Sequence, residues 1–249
     1  MRVQILFFGM LRELIGRSSE EIELDPGSRL ETVFERYASQ FPRVREMQGS
    51  IVLARNQEFA SADVELEDGD EIALMPPVSG GSDNGEWLVS ERDETSFYGI
   101  TRAKLDCRWL VSELQADSDG AVITFEGVVR NHSDDRQTRY LDYDCYVPLA
   151  VKKMQEIGND ILGKHDVRAV GIVHRIGRLE IREASVVIVV ASAHRQAAYE
   201  ASLEAINRVK QLVPIWKKEY FTDGEVWVEG QWEDSVPKPT SPTQASARS

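Results

Sequence analysis

Met75-Pro76-Pro77-Val78-Ser79-Gly80-Gly81-Ser82 divides the chain, and the reading of its glycine pair decides the fold on both sides. The two prolines hold the segment extended, and the two glycines then release the backbone from side-chain restraint. Such a pair serves equally as a linker between domains or as the slender end of a domain, able to enter a narrow channel and present its last carbonyl carbon to a buried site. Composition changes at the same place. Residues 1–81 hold eight Arg, no Lys and fifteen acidic residues, and every lysine follows, beginning with Lys104. Two separately built units are expected.

Working back from the glycines, residues 1–81 read as a mixed α/β unit. Arg2–Phe8 is a strand, Met10–Ile15 a short helix, and Glu21-Ile22-Glu23-Leu24 alternates as a second strand before the turn Asp25-Pro26-Gly27. Ser28 with Glu31 three residues later reads as a capping box opening a helix. Its apolar face is Leu30, Val33, Phe34, Tyr37, Ala38 and Phe41. Ile51–Ala54 and Glu71–Met75, the latter after the turn Asp68-Gly69-Asp70, complete a sheet from which the Gly-Gly tail leaves directly. Strands, one main helix, strands and this tail resemble the ubiquitin-like β-grasp fold.

Working forward, the polar span 82–98 reads as a linker. Asp119-Gly120 then turns the chain into the strand 121–129, closed by Arg130-Asn131-His132. Leu141–Val147 is a further strand, Pro148 suits the first turn of a helix running towards Gly163, and 170–176 and 185–191 are β-rich. Helices and strands do not alternate regularly, so the class is α+β with a largely antiparallel sheet. Residues 233–249, rich in Pro, Ser, Thr and Ala, have the composition of a disordered tail.

Ser192-Ala193-His194-Arg195 opens a helix reaching about Val213, with Tyr199, Leu203, Ile206 and Val213 as its apolar stripe and Lys210 on the same stripe. A lysine on a buried face either snorkels to the rim or is desolvated for proton transfer or nucleophilic work. Pro214 ends the helix, and Ile215-Trp216-Lys217-Lys218-Glu219 continues extended, so Lys210 and Lys217 flank a bend. Arg195 lies about 22 Å along the axis from Lys210. One small ligand reaches both only if a symmetric dimer supplies Arg195 from a second copy.

The net charge of −13 argues against nucleic-acid binding through an overall field. No apolar run approaches the ~18 residues of a membrane span, and no secretory signal is evident, so a cytoplasmic protein is expected. Cys107 and Cys145 are too few for a disulfide framework. His132, His165 and His174 lack ligand spacing, so no metal site is expected, and His174 reads as structural.

The motifs in order carry a closer resemblance. Pro76-Pro77-Val78-Ser79-Gly80-Gly81 and the unit before it resemble the small, sulfur-carrying subunit of molybdopterin synthase. Val122–His132, His174-Arg175-Ile176-Gly177, Ser192–Arg195 and Pro214–Glu219, within residues 98–232, resemble its large catalytic subunit. The resemblance implies a β-grasp carrier domain (1–81), a linker (82–98) and an α/β hammerhead-type catalytic domain (99–232). It implies insertion of two sulfurs into cyclic pyranopterin monophosphate, giving molybdopterin, with sulfur carried as a thiocarboxylate on Gly81 and no further cofactor. The partners it implies are a second copy through the catalytic domain, an E1-like adenylating enzyme and a sulfur donor. Substrate contacts carried over fall on Val128, Val129, Arg130, His194, Arg195, Lys210, Lys217, Lys218 and Glu219. Lys210 takes an acid/base role or is the amine nearest the Gly81 carbonyl, and Lys217 stabilises charge.

The fusion departs from that two-subunit pattern. Gly81 is held in an amide with Ser82, and an amide cannot be adenylated as a carboxylate can. Cleavage of Gly81-Ser82 is therefore expected, by a protease at an exposed polar site or, less simply, through the Ser82 hydroxyl. The alternative is a ubiquitin-like interaction module, permanently tethered to a pterin-binding domain and without sulfur transfer.

Overall fold

The computed structural model describes residues 1–76, 87–133 and 135–228, and these divide into two compact units, 1–76 and 87–228. Gly80, Gly81, Ser82 and the tail from Glu233 lie outside the described residues.

The first unit runs β1 (Arg2–Phe7), α1 (Gly9–Ile15), β2 (Ser19–Glu23), α2 (Leu30–Gln40), α3 (Pro42–Glu46), β3 (Val52–Arg55), β4 (Glu58–Phe59) and β5 (Glu71–Met75). The sheet order is β2-β1-β5-β3-β4. β1 and β5 pair in parallel at its centre, and the other neighbours are antiparallel, which is the β-grasp arrangement. Helix α2 buries Leu30, Val33, Phe34, Tyr37 and Ala38 in a core shared with Val3, Ile5, Phe7, Leu53, Ile72 and Leu74. The capping box is not formed. The N-cap is Arg29, with no side-chain cap, because the segment between β4 and β5 does that work with backbone: Leu30 N donates to Val64 O (2.9 Å) and Glu31 N to Ala62 O (2.7 Å). A helix end supplied by neighbouring carbonyls needs no serine.

The second unit contains β6 (Trp87–Arg92), β7 (Ser96–Thr101), α4 (Cys107–Leu114), β8 (Ala121–Val128), β9 (His132–Ser133), β10 (Arg136–Cys145), α5 (Val147–Lys164), β11 (Ala169–Arg175), β12 (Gly177–Glu180), β13 (Ala184–Ser192), α6 (Arg195–Leu212), β14 (Ile215–Phe221) and β15 (Gly224–Val228). One sheet has the order β6-β7-β11-β13-β8, and the other is β12-β10-β14-β15 with β9 beside β10. Only β7 and β11 pair in parallel, so the sheets are largely antiparallel. Much of the span 82–98 is not linker, since β6 and the start of β7 are built from it. β6 is an edge strand with Ser90, Glu91 and Arg92 exposed, and an edge strand has the polar composition of a loop.

Residues alternate across the first sheet. Ile172, Val186, Ile188 and Val190 join α5 and α6 in one core, while Val173, Val187, Val189 and Ala191 face α4. Gly158 permits the approach of α5, because a Cβ there would stand 2.0 Å from the Tyr98 hydroxyl oxygen. The stripe expected on α6 is half met, since Ile206 and Val213 are buried as expected but Tyr199 and Leu203 are not. The buried face is Ala198, Ala201, Ser202, Ala205, Ile206 and Val209, while Tyr199 and Leu203 are 62% and 63% exposed and Lys210 is exposed beside them. Lys210 therefore does not interrupt a buried face. Small residues let α6 lie close to the sheet, with Ile206 and Val209 packed beside them, while Tyr199 and Leu203 are turned outward.

Candidate functional site

The strand β14 explains how the Pro214–Glu219 motif is used. Pro214 cannot continue α6, and its carbonyl accepts from Tyr146 N (3.2 Å), which fixes the bend. Beyond it, side chains alternate. Lys217 and Glu219 share one face, with Lys217 Nζ 2.7 Å from Glu219 Oε1. Lys218 faces the other way, paired with Glu225 (2.7 Å) and set over the rings of Tyr220 and Trp227 at 5.3 and 5.2 Å. Lys217 and Lys218, both carried over as substrate contacts, are thus split between two sheet faces, as a two-residue period requires.

Glu219 is buried, its side chain only 4% exposed, whereas Lys217 retains 29%. A buried carboxylate costs several kcal/mol unless it is paired, and Lys217 supplies that pair. Tyr143 lies opposite Lys217 in the register. Burial chiefly, with Glu219 charge adding and a Ser185 hydrogen bond opposing, pushes its hydroxyl pKa up to about 12. Tyr143 meets His174 edge to face at 5.2 Å. Burial pulls the His174 pKa down to about 4, against the raising effect of its bond to Arg175 O (2.8 Å). The imidazole is therefore neutral, and Nδ1 donates to that carbonyl. His174 packs and bonds within the fold.

Val129 is buried and Val128 is 51% exposed, with Arg130 exposed beyond them. Val129 is pinned by backbone, its N–H donating to Glu183 O (3.0 Å) and its carbonyl accepting from Arg182 N (2.9 Å). Glu183 in turn holds Arg175 (2.9 Å) and Lys104 (2.7 Å). Burial alone would raise the Glu183 carboxyl pKa, but Lys104, the Glu180 amide and Arg175 together bring it below the usual range. Sequence reading missed Glu183, Lys104 and Tyr143. An arginine ending the apolar run 169–175 was the available signal for this buried ion network.

His194 and Arg195 begin α6 and stand exposed on an open cleft of about 570 Å³, lined also by Gly120, Ala193, Gln196, Tyr199 and Glu200. His194 is the N-cap, with no side-chain cap and no acidic residue in the first turn. Two cationic or protonatable groups and unclaimed helix amides suit an anion such as a phosphate. Lys210 lies in the last turn of the same helix, so Arg195 and Lys210 of one chain do not meet. Among the described residues no group of three His, Cys, Asp or Glu side chains could hold a metal, and no helix is long and apolar enough to cross a membrane. Gly81 and Ser82, the expected carrier and cleavage positions, fall outside the described residues.

Comparison with known proteins bears on both units. Residues 100–212 match the family model described as "MoaE protein", and residues 5–81 match the one described as "ThiS family". The Bacillus subtilis molybdopterin synthase catalytic subunit is 43% identical over 139 residues, covering 56% of this chain and 88% of that protein. Its counterpart from Halalkalibacterium halodurans is 49% identical over 136 residues, covering 55% and 87%. The crystal structure of molybdopterin synthase from Staphylococcus aureus superposes with a TM-score of 0.51 at 37% identity, covering 55% of this chain and 98% of that one. The chain therefore belongs to the MoaE family of molybdopterin synthase catalytic subunits, with a ThiS-family, ubiquitin-like carrier domain fused ahead of the catalytic domain in the same polypeptide.

Proposed function

We propose that this chain is a molybdopterin synthase whose carrier and catalytic parts are made as one polypeptide and separated at Gly81-Ser82. The observation that carries the reading is the order of the two family matches, with the first ending at Gly81 itself. After cleavage, an E1-like enzyme adenylates the Gly81 carboxylate, and a sulfur donor displaces the adenylate to leave the thiocarboxylate. Its sulfur attacks a carbon of cyclic pyranopterin monophosphate, the oxygen displaced leaves as water in one round and as the opened phosphate ester in the other, and hydrolysis of the acyl–sulfur bond returns Gly81 to the carboxylate. Two rounds supply the two sulfurs of molybdopterin. Sulfur arrives as a co-substrate, so this chemistry requires no resident metal, and the pathway places the protein in the cytoplasm.

Each residue type has a task suited to its surroundings. Lys217, paired with buried Glu219, stabilises negative charge as the acyl group reacts. Lys210, exposed at the end of α6, takes the acid/base role. Arg130, His194 and Arg195 bind the phosphate, Val128 and Val129 shape the adjoining turn, and Lys218 supports the strand from its other face.

Tyr199 and Leu203 give the homodimer its surface. A two-fold axis across the middle of α6, near Leu203, lays a second α6 antiparallel to the first. The partner subunit's Arg195 then comes to the Lys210 end, closing the ~22 Å gap that one chain leaves.

Intact-mass measurement on the protein from cells containing its activating enzyme tests the reading. The expected result is two fragments, the first ending at Gly81 and heavier by the exchange of one oxygen for sulfur. A single uncut mass in cells making molybdopterin through this protein overturns the cleavage step and favours a tethered interaction module.

A further inference from the structure

The turn bearing His194 and Arg195 joins β13 to α6 through Ala193 and His194 alone. Among the described residues neither the His194 nor the Arg195 side chain has a hydrogen-bond partner, so only the backbone aims them. That backbone rests on a second turn. Gly120 N donates to Ser192 O (3.1 Å), and a Cβ on Gly120 would stand 2.4 Å from Ala193 O, so only glycine fits without moving the Ala193 peptide.

The supporting turn is itself anchored. Asp119, its side chain 1% exposed, accepts from Arg168 Nε (2.7 Å), Arg168 Nη2 (2.5 Å) and Ala116 N (2.8 Å). Arg168 also donates to Leu114 O at the end of α4 and, through its backbone, to Ala191 O (2.8 Å) in β13. Ser192 is fully buried. Its hydroxyl donates to Asp166 O (2.8 Å) and accepts from His194 N (3.1 Å). Four elements, α4, β8, β11 and β13, thus converge beneath the exposed His194 and Arg195.

We propose that Asp119, Gly120, Arg168 and Ser192 are positioning residues for the anion subsite of His194 and Arg195, setting the register of that turn so that both side chains meet the substrate phosphate. The inference rests on the reading of this cleft as the phosphate subsite. A rigid floor matters because displacing a binding group by about 1 Å costs far more than its contact area accounts for.

Calorimetric titration of the full chain with cyclic pyranopterin monophosphate tests it. Gly120→Ala pushes on the Ala193 peptide and is expected to weaken binding about tenfold, and Ser192→Ala, which removes one hydroxyl, about fivefold. Tryptophan fluorescence melts report whether each variant stays folded, since all five tryptophans lie after residue 81. In an Arg195→Ala background, Gly120→Ala is expected to cost little more, because its effect passes through Arg195. The His194 imidazole proton resonances are expected to shift in Gly120→Ala and Ser192→Ala alike. Wild-type affinity in both variants while Arg195→Ala binds weakly overturns the positioning role, and so does full additivity in the double variant. Unchanged binding by Arg195→Ala instead overturns the phosphate-subsite reading itself.

Discussion

The two units bury different kinds of side chain. Among the described residues the first buries one charged group, Asp70, whereas the second buries eleven polar or charged side chains, among them His174, Arg175, Ser192, Lys218 and Glu219. Asp70 is consumed by structure, bonded to Arg55 (2.6 Å), Asn56 (2.7 Å) and the Glu67 amide (2.7 Å). Helices follow the same division. α2 packs with Leu30, Phe34 and Tyr37, while α6 packs with alanines and leaves Tyr199 and Leu203 outside. The first unit is built for rigidity around a large apolar core, and the second buries polar groups within its fold. Under the proposed function, a carrier whose chemistry sits on its tail needs nothing reactive inside.

Phe34→Ala breaks the comparison most severely. Phe34 is 1% exposed in the first core, and its truncation is expected to destabilise that unit by about 3–5 kcal/mol. Denaturant unfolding followed by circular dichroism should show the loss. Tryptophan fluorescence, which reports on the second unit alone, should stay in place, and a matching shift of that signal would mean the two cores do not stand apart.

Next in size is Lys217→Ala, expected to lower sulfur transfer on the order of 10²–10³-fold and, because it leaves the buried Glu219 carboxylate unpaired, to lower the fluorescence melt as well. Lys217→Arg is not expected to restore the rate, because a planar guanidinium cannot replace a point charge set 2.7 Å from Glu219. Measured turnover near wild type in Lys217→Ala would assign the buried carboxylate to stability alone.

His174 sharpens the contrast through pH. Its folded pKa is depressed to about 4, against about 6.5 when exposed, so between those values the unfolded chain takes up a proton that the folded one refuses. Stability is complete above about pH 6.5, declines as pH falls towards 4 by about 3 kcal/mol, and changes no further through this group below it. Fluorescence-monitored unfolding of His174→Asn should show a flatter acid limb than wild type. Parallel limbs would mean that the folded imidazole accepts its proton freely.

Legibility in the sequence follows the same physics. The first unit was readable because its strands and α2 carry large apolar residues at regular spacing, and β5 was placed residue for residue as Glu71–Met75. Ser28 misled because loop carbonyls cap α2, a tertiary effect without a local signature. β6 was hidden by the polarity of an edge strand, and α4 by its shortness, although Asp106 caps it as its type allows, accepting from Arg108 N and Trp109 N. In the site, the segregation of Lys217 and Glu219 from Lys218 follows from strand alternation, which a linear reading of Lys217-Lys218-Glu219 passed over. Ile206 and Val213 of the α6 stripe are buried as expected, but Tyr199 and Leu203 were misread because bulk was counted as burial, whereas close helix–sheet packing there selects alanine.

Leu203→Asp tests that last point with the smallest effect on folding. A residue 63% exposed in the chain contributes little to a monomer core, so the substitution is expected to change the unfolding free energy of isolated chains by no more than about 0.5 kcal/mol. If α6 pairs with its copy about Leu203, the same change places two carboxylates face to face across the axis. Sedimentation should then show a shift from dimer to monomer, and turnover should fall with it, because the partner subunit's Arg195 leaves the Lys210 end. Tyr199→Ala should act in the same direction, losing apolar contact without adding charge. A Leu203→Asp protein that remains dimeric and active would place the dimer contact elsewhere. The outward apolar groups of α6 would then have no part in joining Arg195 to Lys210, and the phosphate cleft would have to work from one chain alone.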